Sequence, residues 1–167
     1  MSSLLIRDAR PDEREKVRTL TRLAYDEFST TMSPEAWRAL HAAVERVLHD
    51  SGAGECIVAD DEGRIVGSVF LYPADVAPYD GGNVQPLPEL RLLAIAPNAR
   101  RRGIGRALVD ECIRRSKMSG AAALGLHTSK SLGAAIAMYE AMGFRRVPER
   151  DFQPEGAELV QGYQLAL

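Results

Sequence analysis

Apolar positions recur along this chain with two spacings, and the switches between them lay out its elements. Residues 3–7 form a short apolar run that reads as a strand. Val17, Leu20, Leu23, Ala24 and Phe28 then recur at helical spacing to about residue 28. Pro11 stands at a first helical position, with Asp12 and Glu13 suited to the positive end of the helix dipole. The polar run Ser29-Thr-Thr-Met-Ser33 breaks that stripe. Ser33-Pro34-Glu35 opens a second helix with Ser33 as its cap, and Trp37, Leu40, Val44, Val47 and Leu48 form its apolar face. Ser51-Gly-Ala-Gly54 ends it. Residues 55–59 and 64–72 read as strands of a hairpin that turns at Asp60-Asp-Glu-Gly63.

Residues 73–88 carry Pro73, Pro78, Pro86, Pro88 and Gly81-Gly82, and read as a long irregular loop. Residues 89–92 alternate polar and apolar, as a half-buried strand does. The alternation slips at Leu92-Leu93, the trace a β-bulge leaves in a sequence. Pro97 ends this strand because it has no N–H for a ladder. Ile104, Leu108, Val109, Cys112 and Ile113 form one face of a helix reaching about Ser119. Residues 121–128 read as a strand, despite their alanines, because Gly120 and Gly125 oppose a helix. Leu132, Ala135, Ile136, Tyr139 and Met142 line a helix stopped by Gly143. Residues 144–147 and 159–167 read as the last strands, around a polar loop at 148–158. The order is β-α-α-β-β-β-α-β-α-β-β.

Length and composition narrow the function. The chain has 167 residues, of which 46% are hydrophobic and 26% charged, ordinary values for one globular domain. A net charge of −2 gives no global basic field for nucleic acid. Cys56 and Cys112 sit in apolar-periodic segments and read as buried reduced thiols. Met1-Ser-Ser-Leu-Leu-Ile-Arg7 lacks the apolar stretch of a signal peptide, and no apolar run reaches membrane-spanning length. A cytoplasmic protein with no membrane partner is the expectation.

The turn at residues 100–106 holds the clearest chemistry. Gly103 and Gly105 free the backbone to turn sharply and to approach a ligand. The N–H groups that open the next helix have no intrahelical partner, and the dipole there is positive. Arg100, Arg101, Arg102 and Arg106 add four positive charges. Such a place suits a pyrophosphate. The dinucleotide-binding motif would need glycine where Leu108 stands, and the Gly-Lys-Ser/Thr of a P-loop is absent.

Arg100-Arg-Arg-Gly-Ile-Gly105, following Ile95-Ala-Pro97, resembles the acyl-CoA motif of the GNAT N-acetyltransferase superfamily. Tyr139-Glu-Ala-Met-Gly-Phe144 resembles that superfamily's helix-to-strand segment, and the separation of the two motifs also fits. The resemblance covers roughly residues 3–166. It implies an α/β fold with a central mixed, mostly antiparallel sheet, splayed after the fourth strand and flanked by helices. It implies one N-acetyltransferase domain over residues 3–167, with acetyl-CoA as co-substrate. It further implies that the pantetheine arm enters the splay and meets the backbone of Leu93, Ala94 and Ile95. Arg100, Arg101, Arg102, Gly103, Ile104, Gly105 and Arg106 would hold the pyrophosphate.

The expected reaction is transfer of acetyl to a primary amine of a small molecule or protein, by direct attack in a ternary complex. Neither cysteine lies in a motif for a covalent intermediate. By resemblance, Tyr139 stands where the general acid is usual, although its helical stripe also allows mere packing. Glu89 stands six residues before Ile95, where some members place a carboxylate that deprotonates the amine; a solvated strand-edge carboxylate is the alternative. Some members carry Asn where this chain has Leu132, and Ser129 or Ser131 could substitute. His41, His49 and His127 have no metal-ligand spacing, so no metal is implied, and His127 reads as structural. Asp26, Glu27, Tyr72, Asp75, Tyr79 and Asp80 could form an acidic, aromatic wall for a cationic amine, or be ordinary loop residues. Members of the superfamily are often dimers, so a homodimer is among the expected states. Two other readings stand beside the enzyme: a non-catalytic acyl-CoA-binding module, and an arginine-turn nucleic-acid binder that the net charge disfavours.

Overall fold

The computed structural model describes residues 3–50, 52, 54–76 and 86–167. They form a seven-stranded sheet in the order β1-β2-β3-β4-β5-β7-β6. The strands are β1 (Leu4–Asp8), β2 (Glu55–Asp61), β3 (Arg64–Tyr72), β4 (Glu89–Ile95), β5 (Ala123–Thr128), β6 (Arg145–Arg146) and β7 (Gln161–Ala166). Every neighbouring pair is antiparallel except β4 and β5. The helices are α1 (Arg14–Asp26), α2 (Pro34–His49), α3 (Ile104–Met118) and α4 (Gly133–Ala141). This is the mixed, helix-flanked sheet expected from the sequence.

The local reasons are legible in the residues. Ser33 Oγ accepts from the Ala36 N–H at 3.1 Å and starts α2. Gly143, at φ +100°, stops the chain beyond α4. Where the α1 stripe was expected to run to residue 28, the helix ends at Asp26 and tightens into a 3-10 turn at Glu27–Thr30. The hairpin strands run further than expected, to Asp61, and the turn is Glu62-Gly63, both left-handed at φ 53° and 86°.

Helices pack on both faces of the sheet. On one side α3 and α4 bury Ile104, Leu108, Val109, Cys112 and Tyr139 against Ile57, Val69, Leu90, Leu124 and Leu126. On the other, α2 buries Val44, Val47 and Leu48 against Tyr72 and Leu92, while Leu20 and Ala24 of α1 pack on Ala94. Each fully buried aliphatic side chain stabilises such a layer by about 1.5–3 kcal/mol.

Two features of β4 shape the site. Ser68 pairs with Ala94 and Phe70 with Arg91, so Leu92 and Leu93 together oppose Val69 alone. That is the bulge expected at Leu92-Leu93, and Leu92 takes a left-handed φ of 49° to make it. Beyond the bulge β4 diverges from β5. The two strands share one pairing, Glu89 with Gly125, closed by the Gly125 N–H donating to the Pro88 carbonyl at 2.9 Å. The sheet therefore splits after its fourth strand.

Candidate active site

The split opens into a cleft of about 910 Å³. Its floor is Leu93, Ala94 and Ile95 of β4, with the turn before α3 at one end and Tyr139 of α4 beside it. Tyr25 and Phe28 close it from the α1 side, and Phe152, Pro154, Glu155 and Glu158 from the loop between β6 and β7.

The basic turn is built as its residues suggested. Pro97–Ala99 form a 3-10 turn after β4, and Gly103, at φ +76°, is the residue that opens α3. A Cβ there would meet no atom within 4 Å, so it is backbone conformation that calls for glycine. Gly105 differs, since its place on the cleft wall and not its backbone conformation sets it apart. A Cβ would lie 3.4 Å from Met138 Sδ and 3.8 Å from Leu93 and Ile95 side-chain carbons, on the wall of the cleft. Arg101 is held left-handed at φ 61° without being glycine. Arg101 and Leu92 both border the cleft, and such backbone costs on the order of 1 kcal/mol or more at each residue.

The four arginines of the turn differ in what they can reach. Arg100, Arg101 and Arg106 line the cleft. The Arg100 guanidinium also pairs with Glu27 at 2.8 Å and donates to the Ala24 carbonyl at 3.3 Å, which fixes it over the end of α1. Arg102 is different: its guanidinium pairs with Asp61 at 2.9 Å, at the tip of the β2–β3 hairpin. What Arg102 can offer the turn is its backbone N–H. Ile104 borders the cleft but is buried in the core.

Tyr139 is nearly buried, with its ring set edge-on to Phe144 at 5.6 Å between centroids. Across the cleft stands Tyr25, whose hydroxyl donates to the Leu93 carbonyl at 3.4 Å, at the bulge. Burial, and to a lesser degree proximity to Tyr139, raise the Tyr25 phenol above its ordinary range, so it stays protonated as a donor. Sequence reasoning passed over Tyr25. The available signal was its place one residue off the apolar stripe of α1, beside Ala24.

Glu89 is neither a solvated strand-edge group nor a cleft-lining one. Its side chain is 3% exposed and lies between His127 and Arg91. Arg91 Nη2 reaches it at 3.3 Å, and the same guanidinium covers the Tyr72 ring at 4.0 Å. His127 Nδ1 meets Glu89 Oε1, and Nε2 lies 2.9 Å from the Arg150 carbonyl oxygen. A carbonyl only accepts, so Nε2 carries hydrogen, and one further hydrogen lies between Nδ1 and the carboxylate.

The proposed acidic wall is largely absent from the cleft. Tyr79 and Asp80 lie outside the described residues. Tyr72 is buried, its hydroxyl donating to Asp50 Oδ2 at 3.2 Å, and Glu27 is spent on Arg100. Asp26 and Asp75 do not line the cleft. The carboxylates that line the cleft are Glu27, paired with Arg100, and Glu155 and Glu158, which nothing in the sequence singled out. Glu158 Oε1 accepts from Ser131 Oγ at 2.7 Å, which occupies one of the two serines offered as stand-ins for the residue at Leu132; Leu132 itself lines the cleft.

Neither thiol is placed for chemistry. Burial pushes Cys112 up to about 12 and Cys56 up to about 11, and neither lines the cleft. Among the described residues no three His, Cys, Asp or Glu side chains gather as metal ligands, and no helix is long and apolar enough to cross a membrane.

The comparisons agree with this geometry. The Acetyltransferase (GNAT) family model matches residues 16–144. N-acetyltransferase family 8 member 3 of Rattus norvegicus is 34% identical over 92 residues, 55% of this chain and 39% of that protein. The ribosomal protein bS18-alanine N-acetyltransferase of Salmonella typhimurium is 34% identical over 143 residues, 84% of this chain and 90% of that protein. The first of these alignments thus spans well under half of the relative's length. A GNAT family acetyltransferase from Brucella melitensis, solved in complex with acetyl-CoA, superposes with a TM-score of 0.62 at 20% identity, covering 99% of this chain and 88% of that one.

Proposed function

The chain belongs to the GNAT acetyltransferase family, whose members use acetyl-CoA, and on that premise we propose that residues 3–167 act as one N-acetyltransferase domain. It would transfer acetyl to a primary amine of a small molecule or protein. The observation that carries this reading is the splay. One parallel pairing at Glu89 and Gly125 leaves the β4 backbone from Leu93 to Ile95 facing a cleft whose far end is the glycine-arginine turn. Extended backbone of that kind bonds an amide-bearing chain, and the turn bonds phosphate.

In this proposal Arg100, Arg101 and Arg106, with the N–H groups of residues 102–105, hold the pyrophosphate. Leu93, Ala94 and Ile95 align the pantetheine. A backbone N–H near Ile95 polarises the thioester carbonyl. The amine, once neutral, attacks that carbonyl carbon; the C–S bond breaks, and a proton passes to the departing sulfur. Tyr139 is the donor we assign to it. An ordinary phenol is about 1.5 pK units weaker an acid than an ordinary thiol, a deficit of about 2 kcal/mol that concerted transfer avoids. The amine's own proton goes to cleft water. Glu89, enclosed as it is, would act as base through water rather than by contact. The raised thiols of Cys56 and Cys112 favour this direct attack over an acetyl-cysteine route.

Calorimetric titration with acetyl-CoA and with CoA, on the wild type and on Gly103→Glu, tests the reading. The expected result is micromolar binding that the variant abolishes, followed by turnover with an alanine-initiated peptide or another amine. Binding without turnover on any amine would make the protein a non-catalytic acyl-CoA module. No binding to the wild type would overturn the cofactor assignment.

A further inference from the structure

The buried His127–Glu89–Arg91 group lies at the vertex of the splay, and we infer that His127 is a positioning residue that sets the loop between β6 and β7 against the acceptor side of the cleft. The inference rests on the acetyltransferase reading only for the meaning of that side.

The imidazole is 1% exposed, although residue 127 contributes to the cleft surface. It therefore lines the cleft by its backbone, and its ring does not meet a substrate. Both ring nitrogens are occupied within the fold. Nδ1 is held by Glu89 of β4, and Nε2 donates to the carbonyl of Arg150, in the 3-10 turn Pro148–Arg150 that begins the loop. The ring also stands edge-on to Phe152, 5.2 Å between centroids, and Phe152 faces the cleft. Glu89 is locked in its turn by Arg91. A chain of bonds thus runs from the rigid centre of the sheet to the first residues of the loop that carries Phe152, Glu155 and Glu158.

The loop has a second tether, which makes the inference testable. Arg146 pairs with Asp151 at 2.6 Å, Asp151 accepts from the Gly162 N–H at 2.8 Å, and Phe152 bridges Val160. Loss of the His127 bond would leave the loop attached to β7 and, through Glu158, to Ser131, but loosened at Arg150 and Phe152.

Two substitutions separate the nitrogens. An Asn amide occupies the place of Nδ1 and keeps the Glu89 contact; a Gln amide occupies the place of Nε2 and keeps the Arg150 bond. Hydrogen–deuterium exchange of residues 148–160 is compared in wild type, His127→Asn and His127→Gln, each also titrated with acetyl-CoA. Kinetics with an alanine-initiated peptide supply the split between KM and kcat. His127→Asn should speed exchange of the loop about tenfold and raise the acceptor KM with kcat little changed. His127→Gln, which loses the Glu89 anchor but keeps the Arg150 bond, should loosen the loop less than His127→Asn does. Acetyl-CoA affinity should be the same in all three. Equal protection in both variants, or loosening in Gln and not in Asn, would overturn the inference, the latter by showing that the Glu89 contact and not the Arg150 bond holds the loop. Failure of the wild type to bind acetyl-CoA would remove the enzyme reading while leaving the loop result to stand.

Discussion

At the scale of single residues the site divides into groups that face the cleft and groups that hold them. Tyr139 is of the first kind, and its phenol is the one assigned to the departing sulfur. Removing the hydroxyl by Tyr139→Phe keeps the ring contact with Phe144, so the fold and acetyl-CoA affinity should hold. Turnover should fall by about a hundredfold, the low end of what a general acid supplies. Unchanged kcat in a steady-state assay would return Tyr139 to packing. Glu89 is of the second kind by position, buried between a guanidinium and an imidazole. Glu89→Gln distinguishes its two roles by pH. If the carboxylate takes the amine's proton through water, kcat/KM should fall most at low pH, where the amine is protonated. If it only anchors His127, the loss should be the same at every pH and should appear in the acceptor KM. The burial of Glu89 was not legible in the sequence, because the partners that decide it include His127, 38 residues away. A polar-apolar alternation tells that residue 89 shares a face with residue 91, but not what covers that face.

At the scale of elements, the strand-turn-helix unit of β4 and α3 was the most legible part of the chain. Each of its turning points uses a residue with few conformational options. Pro97 ends the strand, Gly103 makes the left-handed step, and the slip at Leu92-Leu93 marks the bulge. Where residues are permissive, the boundaries moved: α1 gave way to a 3-10 turn at Glu27, and the hairpin closed on two residues instead of four. The same unit allows function and stability to be separated at Gly105. Its helical position imposes no left-handed backbone, and an added Cβ meets only ordinary contacts. Gly105→Ala should therefore stabilise the opening of α3 by about 0.5–1 kcal/mol, by the usual helix preference of alanine. For a protein of this size that raises the melting temperature by about 1–4 °C. Acetyl-CoA affinity should drop about tenfold, a loss of roughly 1.4 kcal/mol, because the new methyl enters the cleft wall beside Met138 and Leu93. Thermal melts and calorimetry on one sample check both halves. Tighter binding would mean that the close approach at residue 105 is not used.

At the scale of the whole molecule, the split after β4 leaves β1–β4 and β5–β7 as two parts of one sheet joined by a single pairing. The first part is braced away from the cleft. Arg7 of β1 bonds Glu13, in the 3-10 turn before α1, at 2.8 Å, and Asp60 of β2 at 2.8 Å. Arg115 of α3 ties Asp8 and Glu55 at 2.6 and 2.8 Å. The Glu13 carboxyl is 6% exposed and also accepts from the Arg10 N–H at 2.7 Å. Its hydrogen bonds to Arg7 hold it down to about 2, against an ordinary value of 4.5. A carboxyl lowered by folding contributes stability that is complete above the ordinary value and is lost as pH falls through the folded one. The contribution should amount to about 3 kcal/mol at neutral pH and fade between pH 4.5 and pH 2. Glu13→Gln retains an oxygen for the Arg10 N–H but no charge for Arg7. It should lower unfolding stability by about that amount at neutral pH. In denaturant titrations the two proteins should converge as pH approaches 2. A gap that persists unchanged to that pH would mean that Glu13 acts through shape and packing, and that the brace on β1 is not an ionic one.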